Sequence, residues 1–298
     1  AQHNNDGWAG GYRYGIRYWE VCCDAGQVTS RGSLAQSYHA LLAATIKAFS
    51  AYDPGLKVGG PVLAGVAQEP FLEGLLAYLA DHGLRPGFFS WRNDYDGSPW
   101  AAATAQAQVE RLLDRYGFSN VEVIAGAGHP SAGEGSHSER GAYEAARLVA
   151  SHTYWQDTRL SQAFHSWPEP EPGSGLLAPG GELSHQAFLL LGHFEDTPRR
   201  LATQGGDELG FTLLAGKSED GRRVHIAIAD TGSRSQEYRL ALVGFPPGFH
   251  YTVWEISERC RGEVVASGSG SHLPNGVLAL PWRSPAVHLV EVSWDLRG

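Results

Sequence analysis

The sequence contains no methionine, even at position 1, and only three cysteines in 298 residues. The first absence reads as a processed product or a piece of a longer one. The second excludes a disulfide framework, because Cys22 and Cys23 are neighbours and Cys260 lies far from both. No apolar run approaches the roughly 20 residues that a bilayer span requires. No charged segment followed by an apolar one reads as a signal peptide in the sequence as given. If an upstream segment is removed, an extracellular or periplasmic location is favoured. A concentrated charge of one sign is lacking too: the formal charge of -9 is spread along the chain. That argues against a nucleic-acid surface and suits neutral ligands. Aromatic residues are plentiful, with 12 Tyr, 11 Phe and 9 Trp. Core packing is the default reading of each ring, and stacking on the C–H face of a sugar is the functional alternative.

From Ile16 to about Pro198, short apolar runs alternate with longer stretches of helical period, the pattern of parallel βα units. The strands read Ile16–Cys22, Leu56–Gly60, Gly87–Trp91, Val121–Gly126 and Arg159–His165. The helices read Ser33–Tyr52, Glu69–His82, Trp100–Tyr116, Glu139–Tyr154 and Leu183–Glu195, with Ser33 and Ser138 at N-cap positions and Pro198 as a stop. Beyond Pro198 the period changes to alternation, at Phe211–Ala215, Val224–Ala229, Tyr238–Val243, Tyr251–Ile256, Val277–Leu280 and Val287–Val292. Turns rich in Gly, Pro, Ser and Asp separate these runs, which predicts an antiparallel β-sandwich. The expected fold is therefore α/β followed by all-β, with a partial (β/α)8 barrel over residues 1–200 and a sandwich over residues 201–298.

Eight strands close such a barrel and five are legible. An open remnant leaves two strand edges and an apolar inner face in water unless another surface covers them. A protein partner, a second copy or the sandwich is the expected cover.

The first strand and its continuation read Tyr14-Gly15-Ile16-Arg17-Tyr18-Trp19-Glu20-Val21-Cys22-Cys23-Asp24. This resembles the fourth-strand signature of clan A glycoside hydrolases, Tyr-Trp-Glu-Ile followed by Trp-Asn-Glu-Pro. Further landmarks are similar to family 39: Ile46-Lys47-Ala48-Phe49, Tyr52-Asp53-Pro54, Leu56-Lys57-Val58-Gly59-Gly60-Pro61, Phe88-Phe89-Ser90-Trp91 and Leu112-Leu113-Asp114-Arg115-Tyr116-Gly117-Phe118. The resemblance covers about residues 7–200 and implies barrel strands four to eight. It also implies roles. Cys23 stands where the family has the Asn that hydrogen-bonds the sugar 2-hydroxyl, and Asp24 where it has the acid/base Glu. Arg92 replaces a His. Where the seventh strand carries the nucleophilic Glu, this chain has Ala125 or Gly126.

Retaining hydrolysis needs two carboxyl groups about 5–5.5 Å apart, so the replacements imply that this chemistry is lost. Asp24 remains a candidate general acid, one methylene short, and misplacement on the order of 1 Å costs about a hundredfold in rate. Cys23 is a poor substitute for an amide, because a thiol donates and accepts weakly. Candidate substrate-binding residues are Trp19, Glu20, Cys23, Trp91, Arg92, Tyr95, His165 and Trp167. For Glu20 the resemblance implies a buried structural acid; for His165 the alternative is a hydrogen-bonded, half-buried ring. An inverting mechanism needs a second carboxylate roughly 6.5–9.5 Å from Asp24, and Asp94, Asp96, Glu134, Glu169 and Glu171 are loop candidates. Each is otherwise a solvated charge. Cys22, Cys23, Asp24, His129 and His137 lack metal-ligand spacing, and the glycines from Gly126 to Gly135 lack a phosphate-loop Lys. No metal and no cofactor are expected. Three readings follow: a glycan-binding or assembly pseudoenzyme, an inverting glycosidase using Asp24 as acid, and a purely structural subunit.

Overall fold

A computed structural model describes residues 15–21, 32–64, 69–93, 98–127, 137–165, 182–232 and 236–295. Its parallel sheet comprises β1 (Tyr18–Glu20), β2 (Lys57–Ala64), β3 (Phe88–Asn93), β4 (Glu122–Ala127) and β5 (Leu160–His165), hydrogen-bonded in that order. Helices α1 (Gly32–Tyr52), α2 (Glu69–Asp81), α3 (Pro99–Arg115) and α4 (His137–Trp155) connect successive strands. This is the expected succession of βα units, an open part of a barrel.

Local chemistry sets these boundaries. In α2, Phe71, Leu72, Leu75, Leu76 and Leu79 recur at helical spacing and are buried as one stripe. Glu69 occupies its first turn, where a negative charge favours the exposed N–H groups. Both α2 and α3 end in the same device. Gly83 and Gly117 take φ +62° and +80°, and the next amide reaches back, Leu84 N–H to the Leu79 carbonyl and Phe118 N–H to the Leu113 carbonyl. Each cap turns the chain toward the following strand.

By packing, the chain divides into two compact units. One compact unit comprises Ala1–Tyr95, Thr104–Pro130 and Thr158–Ser166, and the other Asp96–Ala103, Ser131–Asp157 and Trp167–Gly298. The second unit therefore includes α4 and α5 (Glu182–Gly192) as well as the β-rich C-terminal part. Its six-stranded antiparallel sheet takes the order β11-β10-β13-β8-β7-β6. These strands are β6 (Arg199–Leu201), β7 (Phe211–Lys217), β8 (Arg223–Asp230), β10 (His250–Ile256), β11 (Arg261–Ser269) and β13 (Ala286–Ser293). A second sheet pairs β9 (Glu237–Ala241) with β12 (Val277–Pro281).

Both faces of the larger sheet are covered. On one, Ala227, Ala229, Val287 and Leu289 pack with Ala145, Ala146 and Val149 of α4 and Leu190 of α5. On the other, Ile226, Ile228, Val253 and Val290 pack with Leu240 of β9 and Leu278 and Leu280 of β12. Strand β11, which alternation failed to predict, is an edge strand with most residues exposed.

Two buried histidines face acids directly across β13. His288 lies opposite Glu255, and His225 lies opposite Glu291. His288 Nε2 is 3.0 Å from Glu255 Oε2 and its Nδ1 is 2.8 Å from the Tyr238 hydroxyl, which joins the two sheets. The His288 contact, outweighing partial burial, holds the Glu255 carboxyl down at about 2.

Candidate functional site

The concave face of the parallel sheet is identified by one cluster. The Tyr18 hydroxyl donates to Glu122 Oε2 at 2.8 Å, and it accepts from Lys57 Nζ at 2.9 Å and Gln162 Nε2 at 3.4 Å. Lys57 also pairs with Glu122. One donor and two acceptor sites of a phenol are thus all used. Strand β1 lies three interstrand steps from β4, about 14 Å in a flat sheet. Side chains stand roughly perpendicular to a sheet, so only a strong curl brings Tyr18 to Glu122. The hydrogen bond from Lys57 lowers the Glu122 carboxyl, and the same contact raises the Lys57 ammonium.

Sequence reasoning missed this cluster, whose members lie up to 144 residues apart. The available signal was polar residues near the starts of four different strands.

Alternation from this cluster assigns the other positions. Glu20 shares a face with Tyr18, and Ile124 and Gly126 share one with Glu122. Register puts Ser90 beside Ile124, and it puts Arg92 and Phe164 beside Gly126. The concave side toward the C-terminal strand ends therefore presents Arg92, Gly126 and Phe164 as neighbours, with Phe164 55% exposed. Barrel enzymes place their chemistry at this end.

The same register puts Ala125 and Gly126 on opposite faces. Ala125 is fully buried beside Trp91 on the opposite face, and Gly126 is the concave residue. A Cβ built on Gly126 meets only the Trp91 carbonyl oxygen, at 3.9 Å. The nearest carboxylate along β4 is Glu122, four residues or about 13 Å earlier, and it is bound to Lys57.

Two expected cleft aromatics face the other way. Trp91 is 1% exposed and its indole donates to Gln106 of α3 at 2.8 Å. Trp19 packs on Phe49 of α1 with ring centroids 6.0 Å apart and donates to the Ile16 carbonyl. Both strand faces of a parallel barrel are apolar, so alternation alone does not tell inside from outside. Glu20, expected as a buried acid, is exposed. Arg92 is half-buried on the concave face, and His165 closes β5 in register with Ala127. Cys22, Cys23, Asp24, Asp94, Tyr95, Asp96, His129, Glu134, Trp167, Glu169 and Glu171 lie outside the described residues. Among the described residues, no group of three or more His, Cys, Asp or Glu could hold a metal ion, and no helix is long and apolar enough to cross a membrane.

Strand β2 carries a backbone departure near the same end. Val62 adopts φ +56°, a left-handed conformation costly for a β-branched residue, at a register shift between Pro61 and Leu63. Its N–H donates to the buried Ser90 hydroxyl at 3.1 Å, which supports the bulge.

No family model matches the sequence, and no curated protein matches it. Solved structures do. A glucosidase from Croceicoccus marinus superposes with a TM-score of 0.78 at 24% identity, over 99% of this chain and 72% of that one. The fold is glycoside hydrolase-like. A GH39 enzyme from Xanthomonas axonopodis pv. citri gives 0.71 at 18% identity, over 94% of this chain and 70% of that one. A GH39 β-xylosidase from Caulobacter crescentus gives 0.71 at 17% identity, over 97% and 69%. At these identities the likeness establishes the family 39 fold, and the chemistry of the concave rim rests on this chain's own residues.

Proposed function

We propose that this chain is a glycan-binding or assembly component built on a family 39 glycoside hydrolase fold, without retaining hydrolysis. The observation that carries the reading is Gly126, the concave residue at the end of β4, where the resemblance implies a nucleophilic carboxylate. With hydrogen in place of a side chain, nothing there attacks an anomeric carbon. Arg92 and the exposed ring of Phe164 flank that position and give it one cationic and one apolar neighbour. A phenyl face covering a pyranose C–H face needs no carboxylate, which suits binding without cleavage. Asp24, Cys23, Tyr95, His165 and Trp167 complete the proposed cleft.

Titration calorimetry of the chain against a panel of neutral oligosaccharides, beside turnover assays with aryl glycosides, tests this. Binding without turnover is expected. Ready hydrolysis that disappears in Asp24→Asn overturns the reading in favour of an inverting glycosidase with Asp24 as acid. Absence of both binding and turnover leaves the purely structural subunit.

A further inference from the structure

In β3, β4 and β5, the strands that meet at Gly126, the Asp, Glu, Lys and Arg residues are Arg92 and Glu122. Glu122 is committed to Lys57 and the Tyr18 hydroxyl near the strand starts. Arg92 stands four positions beyond Phe88, the register partner of Glu122, or about 13 Å further along the strand. The two ends of the concave face therefore differ in charge. One carries a closed ion pair and the other a guanidinium.

Register fixes what surrounds that guanidinium. Arg92 and Phe164 are the direct partners of Gly126 on its two sides, so their Cα atoms flank it at about 4.8 Å each. Gly126 leaves a gap between their side chains, because a Cβ built there meets only the Trp91 carbonyl oxygen, at 3.9 Å. Arg92 is half-buried, which strengthens its field over that of a fully solvated cation. It already makes a contact within the chain, but a guanidinium carries five N–H donors in a planar fork, and two of them suffice for a carboxylate. Phe164, 55% exposed, offers an apolar ring on the other side of the gap. A cation, an open space and an aromatic face in that order match a sugar that carries a carboxylate. The formal charge of -9 opposes any anion, but it is spread along the chain, and exposed charges more than about 8 Å away are largely screened at physiological salt. The local contact with Arg92 decides.

We infer that the rim at Gly126 takes an acidic glycan, with a uronate carboxylate in the space beside Gly126 paired to Arg92 and the sugar ring against Phe164. The inference rests on the proposed glycan-binding reading and adds the ligand class to it. A carboxylate side chain at position 126 would put a like charge where the carboxylate of the ligand goes. The same glycine that leaves no nucleophile thus admits the anion.

The test is titration calorimetry of the 298-residue chain with two oligosaccharides of equal length and linkage, one built of glucuronic acid and one of glucose. A charge-assisted hydrogen bond of this kind corresponds to about tenfold or more in affinity. The acidic oligosaccharide is therefore expected to bind at least about tenfold more tightly at low salt, with the ratio falling as sodium chloride is raised. Arg92→Gln removes the cation, and Gly126→Asp fills the gap with a carboxylate at a position whose φ is not left-handed. Both substitutions are expected to bring the ratio of the two affinities close to one, with melting temperatures showing that each variant is folded. Equal affinities in the parent chain overturn the inference and leave glycan binding standing, as does a ratio that survives both substitutions. Binding of neither oligosaccharide overturns the proposed function, and the inference falls with it.

Discussion

Replacing Tyr18 by Phe removes one hydroxyl and little else, and the outcome depends on the curl of the parallel sheet. That hydroxyl donates to Glu122 at 2.8 Å and accepts from Lys57 and Gln162. A hydrogen bond to a charged group contributes about 1.5–3 kcal/mol. Lys57 and Glu122 are each about one-third exposed at the side chain, and solvent screening reduces the contribution. Tyr18→Phe is therefore expected to cost about 1–2 kcal/mol. The diagnostic quantity is the coupling between Tyr18→Phe and Glu122→Gln, expected at about 0.5–1 kcal/mol. Pulsed hydrogen exchange at β2, β3 and β4 amides across a urea series reads this unit alone. Coupling below about 0.3 kcal/mol, the scatter of independent sites, refutes the reasoning, because in a flat sheet the two residues are too far apart to interact.

The sandwich should lose stability in acid through Glu255. Its folded value of about 2 lies below its ordinary 4.5, so its contribution is complete above pH 4.5 and declines as pH falls toward 2. With its side chain 21% exposed, that contribution is about 2 kcal/mol; Glu255→Gln should flatten the pH dependence of urea midpoints over this window, and an unchanged slope contradicts the His288 contact. Gln106→Ala strands the buried Trp91 indole N–H and should cost about 1–3 kcal/mol with glycan affinity unaltered; a selective loss of affinity would return Trp91 to the cleft. Ser90→Ala should cost about 1–2 kcal/mol by removing the acceptor for the Val62 amide, seen as faster exchange at Val62, and an unaltered amide there argues against the supported bulge. Gly59→Ala sets a Cβ 2.2 Å from the Phe88 carbonyl oxygen, so a soluble variant of unchanged melting temperature contradicts the β2 and β3 pairing.

The periods of the chain made most of the fold legible. Helical spacing in Phe71 to Leu79 marks a helix whose burial follows the same rhythm, whereas the apolar run Val224 to Ala229 marks a strand buried throughout, because both faces of its sheet are covered. Strand β11 escaped because Arg261-Gly262-Glu263-Val264-Val265 shows no alternation, and as an edge strand it has, among the described residues, no second neighbour to demand one. At the candidate site, sequence pointed to one strand end but not to the facing of its side chains. Trp19 and Trp91 are interchangeable with cleft residues when written in a line, since the rings that pack on Phe49 and reach Gln106 differ from inward ones only by the sheet's handed curl. The Tyr18 cluster was illegible for a related reason: its contacts exist only once four strands bend toward each other. Which of Ala125 and Gly126 is concave needed register, which no composition or spacing supplies.

The proposed absence of a nucleophilic carboxylate at Gly126 is most directly tested by intact-mass spectrometry after incubation with activated 2-deoxy-2-fluoro glycosides, which trap a retaining enzyme as its glycosyl ester. A chain of unchanged mass is expected with every sugar tried. A stable adduct of one glycosyl unit, mapped to an Asp or Glu of this polypeptide, would contradict it.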